Sequence, residues 1–186
     1  MKKKYRFLSG LLTPDFMFES FDAITVPFLQ QQGICALLID IDNTLAPYEQ
    51  PEPDERIRAW FAALAAAGIR ASLISNNHAP RVELFNRTLG LDAYPDSGKP
   101  KGKTLRIAME KMGSDETNTA VLGDQLLTDA LAGHLLGLPA LIVPPIKDKT
   151  TLFFRFKRWL EKPYIKKYRK KHGANICREE HAHDAK

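Results

Sequence analysis

At 186 residues, with 44% hydrophobic and 26% charged side chains, the chain has the make-up of one globular domain with terminal extensions. Its two cysteines, Cys35 in an apolar run and Cys177 in a polar tail, exclude a disulfide framework and a cysteine metal site and point to a reducing compartment such as the cytoplasm. The net charge of +5 is unevenly placed, with nine Lys or Arg against the single acid Glu161 between Arg155 and His172, and Lys2, Lys3, Lys4 and Arg6 at the start. An acidic body between basic ends excludes a protein that binds anions over its whole surface.

The start, "MKKKYRFLSGLLTPDFMFES", has a basic cluster before a short apolar stretch, but Pro14, Asp15 and Glu19 interrupt it and no small-residue cleavage pattern follows. It is not read as an export signal. No run approaches the roughly 20 apolar residues of a spanning helix. Residues 1–32 read as a helical lead-in whose apolar cluster, "PDFMFESFDAITVPFL", packs on the body. "GICALLID" (Gly33 to Asp40) is then a near-continuous apolar run, as in a parallel strand covered on both faces. "PDERIRAWFAALAAAGI" reads as a helix capped by Asp54 and stopped at Gly68, and "IRASLIS" as a strand ending near Ser75. "PRVELFNRTLG" is a helix closed by Gly90, and a loop through "YPDSGKPKG" leads to the helix "KTLRIAMEKMG". "TAVLG" is a strand, "LTDALAGHLLG" a helix and "PALIV" a last strand. Strands alternating with helices over residues 33–149 imply an α/β three-layer sandwich with a mainly parallel sheet, followed by a basic aromatic segment and polar tail over 150–186.

In such a sheet ligands bind beyond the carboxyl ends of the strands. Asp40 to Thr44, Ser75 to His78 and Gly123 to Asp129 all fall there, so three strands deliver polar residues to one rim. A buried strand that runs into two carboxylates needs compensation, because an unpaired buried charge costs several kcal/mol or more. Asp40 and Asp42, two apart in extended chain, project the same way at about 6 to 7 Å. That spacing lets one face a substrate atom and the other its leaving group, with a cation between them. Asp124 and Asp129 offer further oxygen ligands of the kind Mg²⁺ takes. His78 and His134 have no second His or Cys at metal spacing and read as surface or structural residues.

The ordered motifs "DIDNT", "ISNN", "GKP" and "GDQLLTD" resemble those of the haloacid dehalogenase superfamily over about residues 33 to 145. The resemblance implies a Rossmann-like core in which Asp40 is a nucleophile that forms an aspartyl-phosphate and Asp42 the general acid and base. It further implies that Ser75 and Asn76 hold phosphoryl oxygens and that Lys99, with Lys101 and Lys103 close by as alternatives, offsets their charge. Asp40, the main-chain carbonyl of Asp42, and Asp124 would bind Mg²⁺, with Asp129 as ligand or support. The second Asp of "DID" favours phosphomonoester hydrolysis, since an alkoxide leaves poorly without an acid.

Asp42 and Ser75 are separated by room for one helix and one strand, and Ser75 and Lys99 by little more than a helix, so no cap domain fits. An open rim suits a large substrate. In "TLFFRFKRWLEKPYIKKYRKK", Leu152, Phe153, Phe156, Trp159 and Leu160 recur at helical spacing among Arg155, Lys157 and Arg158, as in an interfacial anchor; docking of these residues on the core is the alternative. The order of lead-in, motifs and basic tail looks like the YqeG-type subfamily IIIA phosphatases, related to mitochondrial phosphatidylglycerophosphatase. That relation implies phosphatidylglycerophosphate as substrate and peripheral contact with an anionic phospholipid membrane from the cytoplasmic side. Two other readings remain: a capless phosphatase of nucleic-acid ends, disfavoured for want of an aromatic stacking platform, and a non-catalytic binding protein on a phosphatase scaffold.

Overall fold

The computed structural model describes residues 8–147 and 152–172. Lys2, Lys3, Lys4, Arg6, Cys177 and the side chain of Phe153 lie outside the described residues. The elements run α1 (Leu8–Leu11), β1 (Phe16–Met17), a 3₁₀ turn (Phe21–Ala23), α2 (Val26–Gln31), β2 (Ala36–Ile39), α3 (Glu55–Ala66), β3 (Arg70–Ile74), α4 (Ala79–Asn86), β4 (Asp92–Tyr94) and α5 (Lys103–Met112). Then come β5 (Thr119–Gly123), a π-helical turn (Leu126–Ala130), α6 (Leu131–Leu135), β6 (Ala140–Ile142) and α7 (Leu152–His172).

Six strands among the described residues form one sheet in the order β1-β6-β5-β2-β3-β4, and every pairing is parallel. β2 is buried throughout. Its alternate residues serve opposite layers: Leu37 and Ile39 pack with Ile57, Phe61, Leu64 and Phe85 of α3 and α4, and Ala36 and Leu38 with Leu105, Ala108 and Met109 of α5. This is the three-layer sandwich that the apolar run predicts, and it fixes Asp40 at the end of a rigid central strand. α3 begins as its sequence requires, with Asp54 Oδ1 accepting from Ile57 N at 2.9 Å, and Gly68 follows its end at φ +72°, where a side chain would be strained.

Two strands escape the sequence pattern. The lead-in expected to be helical contains β1, which pairs with β6 (Phe16 opposite Leu141) and forms one edge of the sheet. β4, expected as loop, forms the other edge, with Ser72 opposite Asp92. Two or three residues give no legible alternation, and both are held by pairing across sequence distance. The aromatic cluster around β1 does pack on the body: Phe18 and Phe21 are buried in the core, and Trp60 Nε1 donates to Ile24 O at 2.9 Å.

Only α3 lies between β2 and β3, and only α4 and β4 between β3 and α5, so no cap domain covers the rim. α7 lies against the rest of the fold through Tyr164, Ile165 and Tyr168, packed with Met17, Leu126 and Ile142. The Tyr168 hydroxyl accepts from Met17 N at 3.2 Å. Leu152, Phe156, Trp159 and Leu160, read as an interfacial anchor with docking on the core as the alternative, are exposed, so these four do not dock on the core. No helix among the described residues is long and apolar enough to cross a membrane.

Candidate active site

The end of β2 turns sharply. Asn43 adopts φ +68°, a conformation Asn tolerates better than most residues, and Leu45 N donates back to Ile41 O at 2.9 Å. The turn leaves Asp40 and Asp42 both buried at the pocket wall. Thr44 Oγ1 donates to Asp40 Oδ2 at 3.3 Å. Asp42 is held from α4 and its approach: Oδ2 accepts from Asn77 Nδ2 at 3.0 Å, and Oδ1 from Arg81 Nε at 3.2 Å. Its carboxylate stands outside the group of Asp40, Asp124 and Asp129.

Ser75, at the end of β3, lines the same pocket, with Oγ accepting from Asn77 N at 3.0 Å. Asn76 also lines it, yet its side chain is occupied with the loop that carries Lys99: Oδ1 accepts from Lys99 N at 2.8 Å and from Ser97 Oγ at 2.9 Å, and Nδ2 donates to Lys99 O at 3.1 Å. The loop so braced buries Lys99 while Lys101 and Lys103 stay exposed. Lys99 Nζ lies 2.7 Å from Asp40 Oδ1, 2.7 Å from Asp129 Oδ1 and 2.7 Å from Ile74 O.

After β5, Asp124 and Asp129 are brought together by the π-helical turn. Asp129 Oδ2 accepts from Gln125 N at 3.1 Å, which folds its carboxylate back against Gly123; a Cβ there would overlap it. One carboxylate oxygen from each of Asp40, Asp124 and Asp129 lies within 4.8 Å of the others, all three residues buried. Burial pushes the Asp40 carboxyl up to about 8; the Lys99 ammonium pulls against this, and Asp129 and Asp124 add to it. Burial likewise pushes Asp124 up to about 6, opposed by Arg158. For Lys99, burial acts downward but Asp129 and Asp40 outweigh it, so its ammonium is held more firmly than usual. Three buried carboxylates facing one ammonium and the Arg158 guanidinium still leave a net negative charge, and a hard divalent cation with oxygen preference fits that set.

A pH dependence follows. Both shifted carboxyls titrate above their unfolded values of about 4, so the native metal-free protein holds extra protons between about pH 4 and pH 8 and loses stability as pH rises through that window. A cation that binds the carboxylates displaces those protons. Protein stripped with a chelator is therefore expected to melt lower at about pH 8 than at about pH 5, and an added divalent cation to raise Tm more at the higher pH. An equal rise at both would show that these carboxylates do not take up the metal.

Residues that sequence reasoning missed complete the pocket. Tyr48 lines it, its phenol raised by burial and then by Asp42 and Asp40. Arg158 of α7 donates to Asp124 O at 2.7 Å and pairs with the Asp124 carboxylate; its other partner is Glu161 Oε2 at 3.0 Å. Glu161, 1% exposed, also accepts from Leu127 N at 3.1 Å. A single acid within nine basic residues was the available signal for that contact. His134 is structural, its ring between Leu11 O and Asp15, and His78 is exposed beside Asp96.

A carboxylate pair at a rigid strand end, a buried lysine and a cluster of buried carboxylates suit attack on phosphorus, and together with the parallel sheet they define an α/β protein equipped for phosphoryl transfer. The haloacid dehalogenase-like hydrolase family matches residues 3–137, and the chain belongs to it. The probable phosphatase YqeG of Bacillus subtilis (strain 168) is 30% identical over 164 residues, 88% of this chain and 95% of that one. The chain is accordingly a phosphatase, as the motifs imply, which sets aside the non-catalytic scaffold. Two solved structures share the fold at 14% identity. The cobalt-bound deoxy-D-mannose-octulosonate 8-phosphate phosphatase of Haemophilus influenzae has a TM-score of 0.50, covering 74% of this chain and 92% of its own. An uncharacterized protein from Listeria monocytogenes serotype 4b has 0.51, covering 63% and 85%.

Proposed function

We propose that this phosphatase is Mg²⁺-dependent, works through an aspartyl-phosphate on Asp40, and hydrolyses phosphatidylglycerophosphate to phosphatidylglycerol at the cytoplasmic face of an anionic membrane. Asp40 attacks phosphorus as the ester oxygen departs, and Asp42 gives that oxygen a proton. Asp42 then takes a proton from water, which attacks the phosphoryl group and frees Asp40 and inorganic phosphate. Ser75 orients phosphoryl oxygens, Asn76 fixes the loop that carries Lys99, and Lys99 balances charge beside Asp40. Asp40, Asp124, Asp129 and the Asp42 carbonyl would hold Mg²⁺, which would supply positive charge that keeps Asp40 ionised and offsets charge on the phosphoryl oxygens.

The observation that carries the lipid reading is the outer face of α7. Leu152, Phe156, Trp159 and Leu160 are exposed on it, Trp159 at 63%, on the helix that also contributes Lys157 to the pocket wall. The exposed Lys166, Lys167, Arg169, Lys170 and Lys171 extend its charge. Each adds on the order of 1 kcal/mol of attraction to an anionic surface at physiological salt. A substrate held in a membrane would meet an uncapped pocket beside an aromatic and basic helix.

Phosphate release across lipid, sugar, nucleotide, nucleic-acid-end and phosphopeptide monoesters tests the substrate; phosphatidylglycerophosphate should be preferred, and preference for a soluble sugar phosphate or a nucleic-acid end would overturn it. Charge reversal of Lys166, Lys167, Arg169, Lys170 and Lys171 tests delivery while leaving Tyr168 and the docked face intact. Vesicle binding and turnover of vesicle-borne lipid should fall about tenfold or more, with activity on a soluble aryl phosphate near the parent's. Unchanged vesicle binding and lipid turnover would rule out the tail as anchor.

A further inference from the structure

Two of the three clustered carboxylates, Asp124 and Asp129, are carried by the segment that runs from the end of β5 through the π-helical turn. A π-helical turn is rare and wide, so where its carboxylates stand depends on what braces it. Within the segment, Asp129 Oδ2 accepts from Gln125 N at 3.1 Å, and Gln125 Nε2 donates to Asp124 Oδ1 at 3.4 Å. Braces from outside it come from α7. Arg158 Nη1 donates to Asp124 O at 2.7 Å and Nη2 to Asp124 Oδ2, while Glu161 Oε1 accepts from Leu127 N at 3.1 Å.

These two side chains act as a unit. Arg158 Nη1 also donates to Glu161 Oε2 at 3.0 Å. Glu161 is among the most deeply buried charges of the fold, and a carboxylate so placed is tolerated only with such partners. The formal charges of the pair cancel, so it hydrogen-bonds the turn without setting a net positive charge beside a cation site. A lone guanidinium there would repel a divalent ion. Helix and turn are mutually dependent: Asp124 and Leu127 hold α7 at this point, and α7 holds Asp124 and the backbone of the turn.

We propose that seating of α7 is coupled to cation binding through Arg158 and Glu161. The pair positions Asp124 and the turn after β5, so a divalent cation binds more tightly when α7 is seated, and by reciprocity the bound cation holds α7 more firmly. The proposal rests on the reading that Asp40, Asp124 and Asp129 hold that cation. Arg158 and Glu161 are positioning residues, acting through a ligand rather than on substrate. Loss of hydrogen bonds to a ligating carboxylate commonly weakens a metal site by about 10- to 100-fold.

The test uses the full chain, stripped with a chelator, in two measurements that need no turnover. Calorimetric titration with Mg²⁺ gives affinity for the folded protein, and Arg158→Gln and Glu161→Gln should each weaken it by about tenfold or more. Arg158→Lys should resemble Arg158→Gln rather than the parent, because one ammonium cannot span Asp124 O, Asp124 Oδ2 and Glu161 as the planar fork does. A merely structural role would lower the metal-free Tm and leave the Mg²⁺ affinity of the folded protein unchanged. Hydrogen exchange of the α7 amides gives the reciprocal effect: saturating Mg²⁺ should slow it in the parent by about tenfold relative to α5, and the slowing should vanish in Arg158→Gln. Equal or tighter Mg²⁺ binding by Arg158→Gln would overturn the proposal, the guanidinium then being a bystander or a competitor for Asp124. So would exchange in the parent's α7 that Mg²⁺ leaves unchanged relative to α5, a result that stands even if the variants fail to fold. A parent that bound neither Mg²⁺ nor Mn²⁺ would count against the cation site itself, and against this coupling with it.

Discussion

Asp40→Asn should lower kcat on every phosphomonoester by on the order of 10⁴-fold or more while leaving the fold in place. An amide neither attacks phosphorus nor ligates a hard cation as a carboxylate does. Loss of fold is not expected, because Lys99 keeps Asp129 Oδ1 and Ile74 O, each at 2.7 Å. The metal-free parent carries at Asp40 a carboxyl that burial pushes up to about 8, so ionising it at higher pH destabilises the native state. The metal-free variant should therefore melt no lower than the parent above about pH 8, and should lose most of the cation-induced rise in Tm. The parent, quenched during turnover in acid, should carry phosphoryl label, at most one group per chain, on the peptide containing Asp40. Substantial turnover by Asp40→Asn would remove the nucleophile from the account, and full activity of the parent after exhaustive chelation would remove the metal.

The parts of this site that were legible in the sequence share one property: each sits where a buried strand ends. Asp40, Ser75 and Asp124 follow β2, β3 and β5 directly, and an apolar run that stops at a polar residue is visible without any knowledge of what it packs against. Asp129 is nearly as plain, although the turn that aims it is π-helical rather than the regular helix expected, and the wider turn is what lets its carboxylate reach Gln125 N. Lys99 could be chosen over Lys101 and Lys103 only by motif; the structure adds the cause, an asparagine at the end of β3 that grips its backbone from both sides. Arg81, Lys157 and Arg158 had no comparable signal. Arg81 meets Asp42 across 39 positions and Arg158 meets Asp124 across 34, and in α7 basic residues are so frequent that none is marked out by spacing. The same limit hid β1 and β4, whose hydrogen bonds come from distant partners rather than from a local pattern.

Asp42→Asn should separate substrates by leaving group. A p-nitrophenolate departs with little protonation and an alkoxide does not, so loss of the acid should cost alkyl phosphates about 10²–10⁴-fold in the first displacement and aryl phosphates far less. The second displacement should suffer for both, because the base that activates water is gone. With p-nitrophenyl phosphate the variant should show a burst of about one product per chain and then slow turnover, with label accumulating on Asp40. The surroundings of Asp42 shape the test. Its two oxygens accept from Asn77 Nδ2 at 3.0 Å and Arg81 Nε at 3.2 Å, and an amide must turn its own N–H₂ toward one of these donors. Whatever disturbance this causes falls on aryl and alkyl esters alike, since it precedes any contact with the leaving group. The ratio of the two losses is thus the informative quantity. A ratio near unity, without a burst, would mean that Asp42 only organises Asn77 and Arg81; a large ratio with a burst would place the departing oxygen within reach of its carboxyl, on the side of the pocket away from the Asp40, Asp124 and Asp129 cluster.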